Sequence, residues 1–348
     1  MVVADAIALS LALPVVPRTS VSVSSAPVSP LALRRRRFAR FAQFNVVYTI
    51  GVILWGAFVR ATGSGAGCGD HWPTCNGAVV PRAPALETLI EFAHRLTSGG
   101  ALILALALLI WAVRVWPARS PTRRAAWATF GFMIVEALVG AAIVLLQMTA
   151  DNDTIGRAAI MGVHLVNTLL LLGAMVLTAW FATGRPVPRP ASKRWAAGLF
   201  GISLLGMLVL GASGGITALG DTLFPVESLA EGLAQDLSPT AHILIRLRIF
   251  HPIIAILVGG FTMVTAVVTG LGRVDHGRTL ASALVGLILV QVLIGSLNVV
   301  LLAPVWMQLV HLLLADAVWI VLVLLVATVL APGSGSVAEG TTTGATAA

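Results

Sequence analysis

Charged residues are scarce in this chain: they make up 10% of its 348 residues, whereas hydrophobic residues make up 58%. A water-soluble domain needs more polar side chains to cover its surface, so the composition excludes that class. Cysteine is also rare, with two residues. Two thiols with one histidine nearby are too few for a typical structural zinc site. The chain is therefore predicted to lie in a lipid bilayer.

Eight runs of apolar residues, each about 20 residues long, have the length that a helix needs to cross a bilayer. They cover residues 41–60, 89–112, 125–147, 158–182, 195–216, 245–270, 279–302 and 304–331. The predicted fold class is an all-α integral membrane protein with eight transmembrane helices. A further apolar stretch at 6–16 is too short to cross a bilayer, and it lacks the preceding basic residues of a secretory signal.

Basic residues flank alternate loops between these runs. They precede the first run and follow the second, fourth and sixth, at Arg34 to Arg37, Arg40, Arg114, Arg119, Arg123, Arg124, Arg185, Arg189, Lys193, Arg194, Arg273 and Arg278. Because basic loops stay in the cytoplasm, both termini are predicted to be cytoplasmic in a bacterial cell membrane. The Arg-rich, acid-poor N-terminus leaves the mitochondrial inner membrane as the alternative. The net charge of +8 then reflects topology and anionic lipid, with no nucleic-acid partner.

Two parts of the chain are similar to each other. Residues 56–65, at the end of the first run, resemble residues 211–220, and residues 135–140 resemble 290–295. We therefore predict two tandem four-helix-bundle repeats, related by an axis along the membrane normal. The predicted organisation is a disordered basic cytoplasmic tail at 1–40, a first repeat at 41–182, a cytoplasmic linker at 183–194, a second repeat at 195–331 and a disordered tail at 332–348.

Four histidines, His94, His164, His251 and His311, lie near the outer ends of the second, fourth, sixth and eighth runs. At a rise of 1.5 Å per residue they share a depth of roughly 10 Å below the outer surface. Two histidines at one depth on facing helices can ligate one haem iron from both sides. The sequence predicts two haem sites, one formed by His94 and His164 and the other by His251 and His311.

The surroundings of the histidines differ between the two predicted sites. Glu91 lies one turn before the first histidine and on the same helix face, whereas Arg248 holds the equivalent position in the second repeat. A carboxylate in an apolar pocket is suited to acid–base catalysis, and an ion pair of Glu91 with Arg95 is a compatible structural interpretation. Arg95, Arg246 and Arg248 are suited to binding the anionic haem propionates.

The two cysteines, Cys68 and Cys75, lie in the first outer loop, where oxidising conditions favour a disulfide. The pair is either a structural staple, worth about 2.5 kcal/mol for so short a loop, or a thiol pair that exchanges electrons near the first haem. Glu136 and Asp316 are acidic residues inside helices that could relay protons. Glu136 aligns with the neutral Gln291, and neither acid is assigned a role.

These motifs resemble those of the heme A synthases. The similar residues are 60–68 (RATGSGAGC), 72–75 (WPTC), 91–95 (EFAHR) and the histidines at 164, 251 and 311. The resemblance covers about residues 40–331. It implies an eight-helix membrane oxidoreductase that oxidises the C8 methyl of heme o to a formyl group, giving heme a for cytochrome c oxidase. Cys68 and Cys75 match the outer cysteine pair of that family.

The resemblance also implies roles for individual residues. Glu91 is the catalytic carboxylate. The substrate haem iron is bound by His94 and His164, and the iron of a heme b cofactor is bound by His251 and His311. Implied partners are heme O synthase and the assembly of cytochrome c oxidase, besides membrane lipid, and the oligomeric state stays open.

Two other functions suit the same histidines. One is a diheme b-type electron carrier that exchanges electrons with quinone, and the other is a haem chaperone. The exchange of Glu91 for Arg248 between the two sites favours the enzyme over the carrier, because equivalent haems would not need unlike surroundings. Glu136 stands where we expect an amide in the heme A synthases, which leaves the role of the third run open.

Overall fold

The computed structural model describes residues 29–273 and 275–332. Of the predicted disordered tails, residues 1–28 and 333–348 lie outside the described residues. The described chain contains the helices α1 (Pro30–Ala61), α2 (Leu86–Val115), α3 (Pro121–Leu145), α4 (Ile155–Ala182), α5 (Arg194–Leu223), α6 (Leu229–Leu237), α7 (Ile243–Arg248), α8 (Phe250–Ala266), α9 (His276–Val300) and α10 (Val305–Val329). Helices α7 and α8 belong to one span, Ile243–Leu271. Eight spans are long and apolar enough to cross a membrane, and no strand forms in these two ranges. The predicted fold class is confirmed, and the chain is a multi-pass membrane protein.

Helix α1 begins well before the predicted start of the first span. Ser29 caps it by accepting a hydrogen bond from the Ala32 amide, and proline follows at the first helical position. Residues 30–40, predicted to be disordered, are therefore helical. Phe38 is fully buried, and its ring packs edge-on against Trp111 of α2. The arginine run hid this start, because a long arginine side chain can cover apolar surface while its charged end reaches water.

The helices pack in a similar order in the two halves of the chain. Helices α1 to α4 each contact the next, and α4 returns to α1; α5, α8, α9 and α10 make the corresponding contacts. The halves meet where α4 packs on α5 and α10, and where α1 packs on α10. Helices α4 and α10 are accordingly the two most buried spans. The tandem duplication itself stays a prediction.

Two glycines allow the halves to approach closely. A Cβ atom at Gly211 of α5 would lie 2.7 Å from Leu169 Cδ1, and one at Gly215 would lie 3.1 Å from Leu165 Cγ, both on α4. The glycines are four residues apart and share one helix face. Small residues at this spacing let membrane helices pack tightly. The contact joins α4, which carries His164, to the helix beside the second pair of histidines.

The linker between the halves is anchored on the end of α10. It contains a short turn of 3-10 helix, Pro190–Lys193. The Arg189 amide donates to the Leu330 carbonyl at 2.7 Å, and Lys193 Nζ donates to the Val329 carbonyl at 2.6 Å. These bonds satisfy carbonyl groups that the end of a helix leaves without helical partners.

Candidate functional site

The four histidines lie on α2, α4, α8 and α10, within the first three turns of their spans, and all are half-buried. The rings of His251 and His311 have centroids 6.5 Å apart and planes at 83°. Two imidazoles that ligate one first-row metal ion from opposite sides have centroids roughly 6–6.5 Å apart, because each metal–nitrogen bond is about 2 Å. The second histidine pair therefore has the spacing that an axial pair requires.

A hydrogen bond orients the first imidazole of the second pair. The Ser213 hydroxyl lies 3.0 Å from Nδ1 of His251, which leaves Nε2 for a ligand. Gln291 Nε2 donates to the His311 carbonyl at 3.1 Å and lies 3.3 Å from His311 Nε2. Ser213 follows a repeated motif, but its contact with His251 could not be predicted without the crossing of α5 and α8.

Glycines lie against three of the four imidazoles. A Cβ atom would come within 2.9 Å of His94 at Gly56, 3.0 Å of His251 at Gly214 and 2.9 Å of His311 at Gly295. The glycine against the ring of His251 is thus Gly214, one turn from the Gly211 that the sequence comparison pairs with Gly56. The fourth imidazole, on His164, has no such partner, because nothing lies within 4 Å of a Cβ atom at Gly140.

The histidines fit haem ligation by their unfilled hydrogen-bonding capacity. His94, His164 and His311 each have a buried Nδ1 with no hydrogen-bond partner among the described residues. A buried nitrogen without a partner costs free energy, so these imidazoles have bonding capacity that the described protein does not use. Nitrogen donors on facing helices, with glycine behind the ring, suit a flat metal complex between helices.

Glu91 joins α2 to the first outer loop. It is 4% exposed, and its Oε1 accepts hydrogen bonds from Arg95 Nε at 3.1 Å and from Arg95 Nη2. Its Oε2 accepts the Cys68 amide at 2.8 Å. Arg95 Nη1 in turn donates to the carbonyls of His71 and Thr74 at 2.5 and 2.6 Å. The ion pair of Glu91 and Arg95 is therefore present, and it holds the loop close to His94.

The loop held by Glu91 contains a disulfide between Cys68 and Cys75. The predicted bond is confirmed, and both cysteines are fully buried. Gly67 lies so close to the start of α2 that a Cβ atom would be 2.5 Å from the backbone carbon of Glu87. Only glycine fits this approach, so the loop is packed firmly onto α2.

Arg248 makes the corresponding contact in the second half with the opposite charge. It is 8% exposed and forms ion pairs with Asp221 of α5 at 3.2 Å and with Asp236 of α6 at 2.9 Å. The residue one turn before the first histidine thus holds the outer loop in both halves, as an anion in the first and a cation in the second. The two aspartates were not predicted, because both lie outside the predicted membrane runs, in sequence that shows no periodic pattern.

The three arginines predicted to bind propionates differ in their surroundings. Arg95 and Arg248 donate to protein acceptors, as described above. Arg246 is exposed on α7, and no hydrogen bond from its guanidinium is found within residues 29–273 and 275–332. Propionate binding stays a prediction for all three, and Arg246 has the guanidinium most available for it.

Arg60 is a link between the halves that the sequence did not indicate. From the end of α1, its Nη1 donates to the Ala218 carbonyl and to the Thr222 hydroxyl, both at 2.6 Å. Its Nη2 donates to Gln308 Oε1 at 2.7 Å. The motif at 60–68 identified Arg60 as similar to a residue of the family. It did not identify the groups that Arg60 binds, because these acceptors are more than 150 positions away in sequence.

The two acids inside helices have different surroundings. Glu136 of α3 accepts hydrogen bonds from Asn167 and Thr168 of α4 and lies 3.5 Å from His164 Nδ1. Asp316 of α10 is 2% exposed, and its Oδ2 has no hydrogen-bond partner in the described part of the chain. Glu136 therefore adjoins a histidine of the first predicted site, whereas Asp316 is buried five positions after His311 on the same helix.

A bundle of eight apolar spans, four of which carry a half-buried histidine within their first three turns, defines the class: a multi-pass membrane protein. The family model described as cytochrome oxidase assembly protein, COX15-CtaA, matches residues 39–323. The chain belongs to this family, that of the heme A synthases.

Curated relatives carry two kinds of name. A protein of Thermus thermophilus named protoheme IX farnesyltransferase is 49% identical over 306 residues, which are 87% of this chain and 50% of that protein. The heme A synthase of Exiguobacterium sp. is 33% identical over 187 residues, 54% of this chain and 60% of that protein. That of Bacillus mycoides is 37% identical over 142 residues, 40% and 43% respectively. The chain thus spans about half the length of the relatives it matches.

Proposed function

We propose that the chain is a heme A synthase, which oxidises the C8 methyl of heme o to a formyl group. His94 and His164 would hold the substrate haem, and His251 and His311 would hold a resident heme b. The observation that carries this assignment is the difference between the pairs. A buried carboxylate and a disulfide loop adjoin the first pair, and a buried arginine with two aspartates adjoins the second.

The proposed reaction needs a base and an outlet for electrons. With water as the oxygen source, conversion of a methyl to a formyl group releases four electrons and four protons. Glu91 is the proposed proton acceptor, since it lies one turn from His94 on the same face. Its hydrogen bonds with Arg95 and Cys68 fix the carboxylate's position. A haem at the second pair supplies one-electron redox chemistry.

The name of the Thermus relative favours farnesyl transfer as a second candidate function. The match covers half of that protein, so the named activity need not reside in the shared half. Activated prenyl groups carry a diphosphate, which proteins commonly bind through Mg²⁺ and carboxylates. Within the described residues, no group of three or more acids, histidines or cysteines is arranged to hold a metal ion. The paired histidines support haem oxidation better.

Haem extraction tests the proposal and separates it from the alternatives. The chain is expressed in a host that makes heme o but no heme a, and the haems are extracted and separated by chromatography. We expect hydroxymethyl or formyl haem. Haem-loaded protein that yields heme o alone would leave a carrier or a chaperone, and in a host that makes only protoheme, farnesylated haem would establish the transferase.

The variant Glu91→Gln is the matched control for the chemistry. The amide keeps an oxygen that can accept the Cys68 amide but breaks the buried ion pair with Arg95, so product is compared in folded protein with both haems bound. Loss of product with normal haem content supports the carboxylate as the base. Unchanged product would remove Glu91 from the reaction and leave it the structural role of binding Arg95.

We also propose the cellular setting of the enzyme. The protein lies in a bacterial cell membrane with its histidine sites near the outer surface, since basic residues flank the opposite ends of the spans. Its substrate would come from heme O synthase, and its product would pass to the assembly of cytochrome c oxidase. Cysteine labelling of the Arg119 and Val79 loops from either side of the membrane tests this orientation.

A further inference from the structure

The residue that α3 places beside His164 of α4 differs in charge from the residue that α9 places beside His311 of α10. Glu136 of α3 lies 3.5 Å from His164 Nδ1 through its Oε1. The corresponding contact in the second half is made by Gln291, whose Nε2 lies 3.3 Å from His311 Nε2. A carboxylate thus adjoins one histidine of the first pair, and a neutral amide adjoins its counterpart in the second pair.

The position of the Glu136 carboxylate is fixed by α4. Oε2 accepts a hydrogen bond from Asn167 Nδ2 at 2.6 Å, and Oε1 accepts one from the Thr168 hydroxyl at 2.5 Å. Thr168 Oγ1 also lies 2.8 Å from the His164 carbonyl, one turn away, which is the alternative acceptor for its single proton. An ionisable group inside a membrane span is costly, so a carboxylate with this set of donors indicates a purpose beyond packing.

One nitrogen of the imidazole beside Glu136 makes no hydrogen bond within the described part of the chain. His164 Nδ1 is buried and has no hydrogen-bond partner among the described residues, and Glu136 Oε1 lies 3.5 Å from it. A hydrogen bond between these two atoms requires this distance to shorten to about 3.2 Å or less. With Nδ1 donating to the carboxylate, Nε2 is left unprotonated and points away from Glu136 as a metal ligand.

We propose that Glu136 is a positioning residue for the first haem, accepting a hydrogen bond from Nδ1 of His164 and thereby making this imidazole the more basic of the axial ligands. The inference rests on the proposed ligand role of His164. A carboxylate that accepts from a metal-bound histidine fixes the ring and raises its basicity. A more basic ligand and a nearby negative charge both favour the ferric iron over the ferrous iron.

The second half lacks this device, because Gln291 is neutral. Its amide nitrogen donates to the His311 carbonyl at 3.1 Å, and its Oε1 is buried without a partner in the described range. An amide hydrogen bond does not place a negative charge beside the ligand. The first haem is therefore the one whose oxidised state is stabilised, and the second more readily holds an electron.

Reciprocal substitution in the haem-loaded full-length protein tests the proposal. Glu136→Gln removes the charge and keeps one acceptor oxygen for either Asn167 or Thr168. We expect the ferrous form of the first haem to gain at least tenfold in relative stability, an upward shift of about 59 mV for a one-electron couple. Gln291→Glu should shift the second haem downward. His94→Ala identifies which titrating haem is the first.

A purely structural role would not move these potentials. Thr168→Val is the control, since it removes one hydrogen bond from Glu136 but keeps the charge, and it should leave the first midpoint potential nearly unchanged. Loss of the first haem in Glu136→Gln with retention in Glu136→Asp supports the proposal. Loss of the first haem in both Glu136→Gln and Glu136→Asp, or an unchanged midpoint potential of the first haem in Glu136→Gln, overturns it.

Failure of the underlying function gives a different result. A His164→Ala variant that retains both haems with unaltered spectra would show that His164 is no ligand, and the proposal for Glu136 would end with the assignment of the first site. Unshifted potentials in Glu136→Gln, with the first haem still dependent on His164, would instead overturn the role of Glu136 alone.

Discussion

In both halves of the molecule the first histidine packs against a glycine, but the buried charged residue one turn before it has the opposite sign. The first histidine of each half packs against a glycine of the preceding span in its half, Gly56 or Gly214. One turn before it, a buried charged residue holds the outer loop, Glu91 in the first half and Arg248 in the second. The packing of histidine on glycine determines the position available to a metal complex. The neighbouring charged residues influence the acid–base and redox chemistry of each site.

The difference extends to the second histidine of each pair. His164 adjoins the carboxylate of Glu136, whereas His311 adjoins the amide of Gln291. Negative charge near a bound iron favours its oxidised state, and positive charge favours its reduced state. The loop charges are paired, Glu91 with Arg95 and Arg248 with two aspartates, so the expected passage of electrons from the first site to the second follows from Glu136. This direction is the one that oxidation of a substrate at the first site requires.

The largest expected effects come from removing the buried arginine of either outer loop. Arg95→Met leaves Glu91 without its ion-pair partner and should destabilise the protein by about 3–5 kcal/mol. Arg248→Met should cost less, about 1–3 kcal/mol, because the side chains of Asp221 and Asp236 are 23% and 26% exposed. Thermal unfolding in detergent, followed by circular dichroism, measures both.

Each arginine variant should also affect the haem of its own half. Arg95→Met should lower the yield of formyl haem while the second haem keeps its spectrum, and Arg248→Met should disturb the second haem. Arg246→Met is the control for stability alone, because Arg246 is exposed and should change the free energy of unfolding by less than about 0.5 kcal/mol. Equal losses of stability in Arg246→Met and Arg248→Met would contradict the role given to the ion pairs of Arg248.

The disulfide should matter to the first half alone. Replacing both Cys68 and Cys75 by serine should cost about 2.5 kcal/mol, because a short loop loses its closure. The absorption spectrum of the second haem should not change. Product yield then separates the two interpretations: a staple predicts a loss in proportion to the fraction unfolded, and an electron-exchanging pair predicts loss of product from fully folded protein. A change in the second haem alone would refute both.

The most local effects are expected at the glycines behind the rings. Gly56→Ala and Gly214→Ala place a methyl group within about 3 Å of an imidazole, which should cost about 1–3 kcal/mol and shift only the haem of that half. Gly51→Ala and Gly201→Ala are matched controls on the same helices, where nothing lies within 4 Å. Difference absorption spectra of the two haems report the result. Indistinguishable spectra for Gly56→Ala and Gly51→Ala would exclude ring contact at α1.

The eight spans could be predicted from sequence because each is a long apolar run, and hydropathy needs no knowledge of neighbours. The start of α1 could not, since its arginines lowered the apolar content. The histidines stood out as rare polar groups at one depth. Contacts such as Ser213 with His251, or Arg60 with Gln308, depend on how the helices cross, which no local pattern encodes. Arg248 was predicted to bind propionates, but its ion pairs depend on Asp221 and Asp236 from other elements.

The most direct test of the account is the haem content of a variant that lacks the first pair, His94→Ala with His164→Ala, expressed in a host that supplies heme o. The account predicts a folded protein that still binds heme b through His251 and His311 and yields no hydroxymethyl or formyl haem on extraction. Formyl haem from this variant, at a yield near that of the unaltered chain, would contradict the assignment of the reaction to the first half.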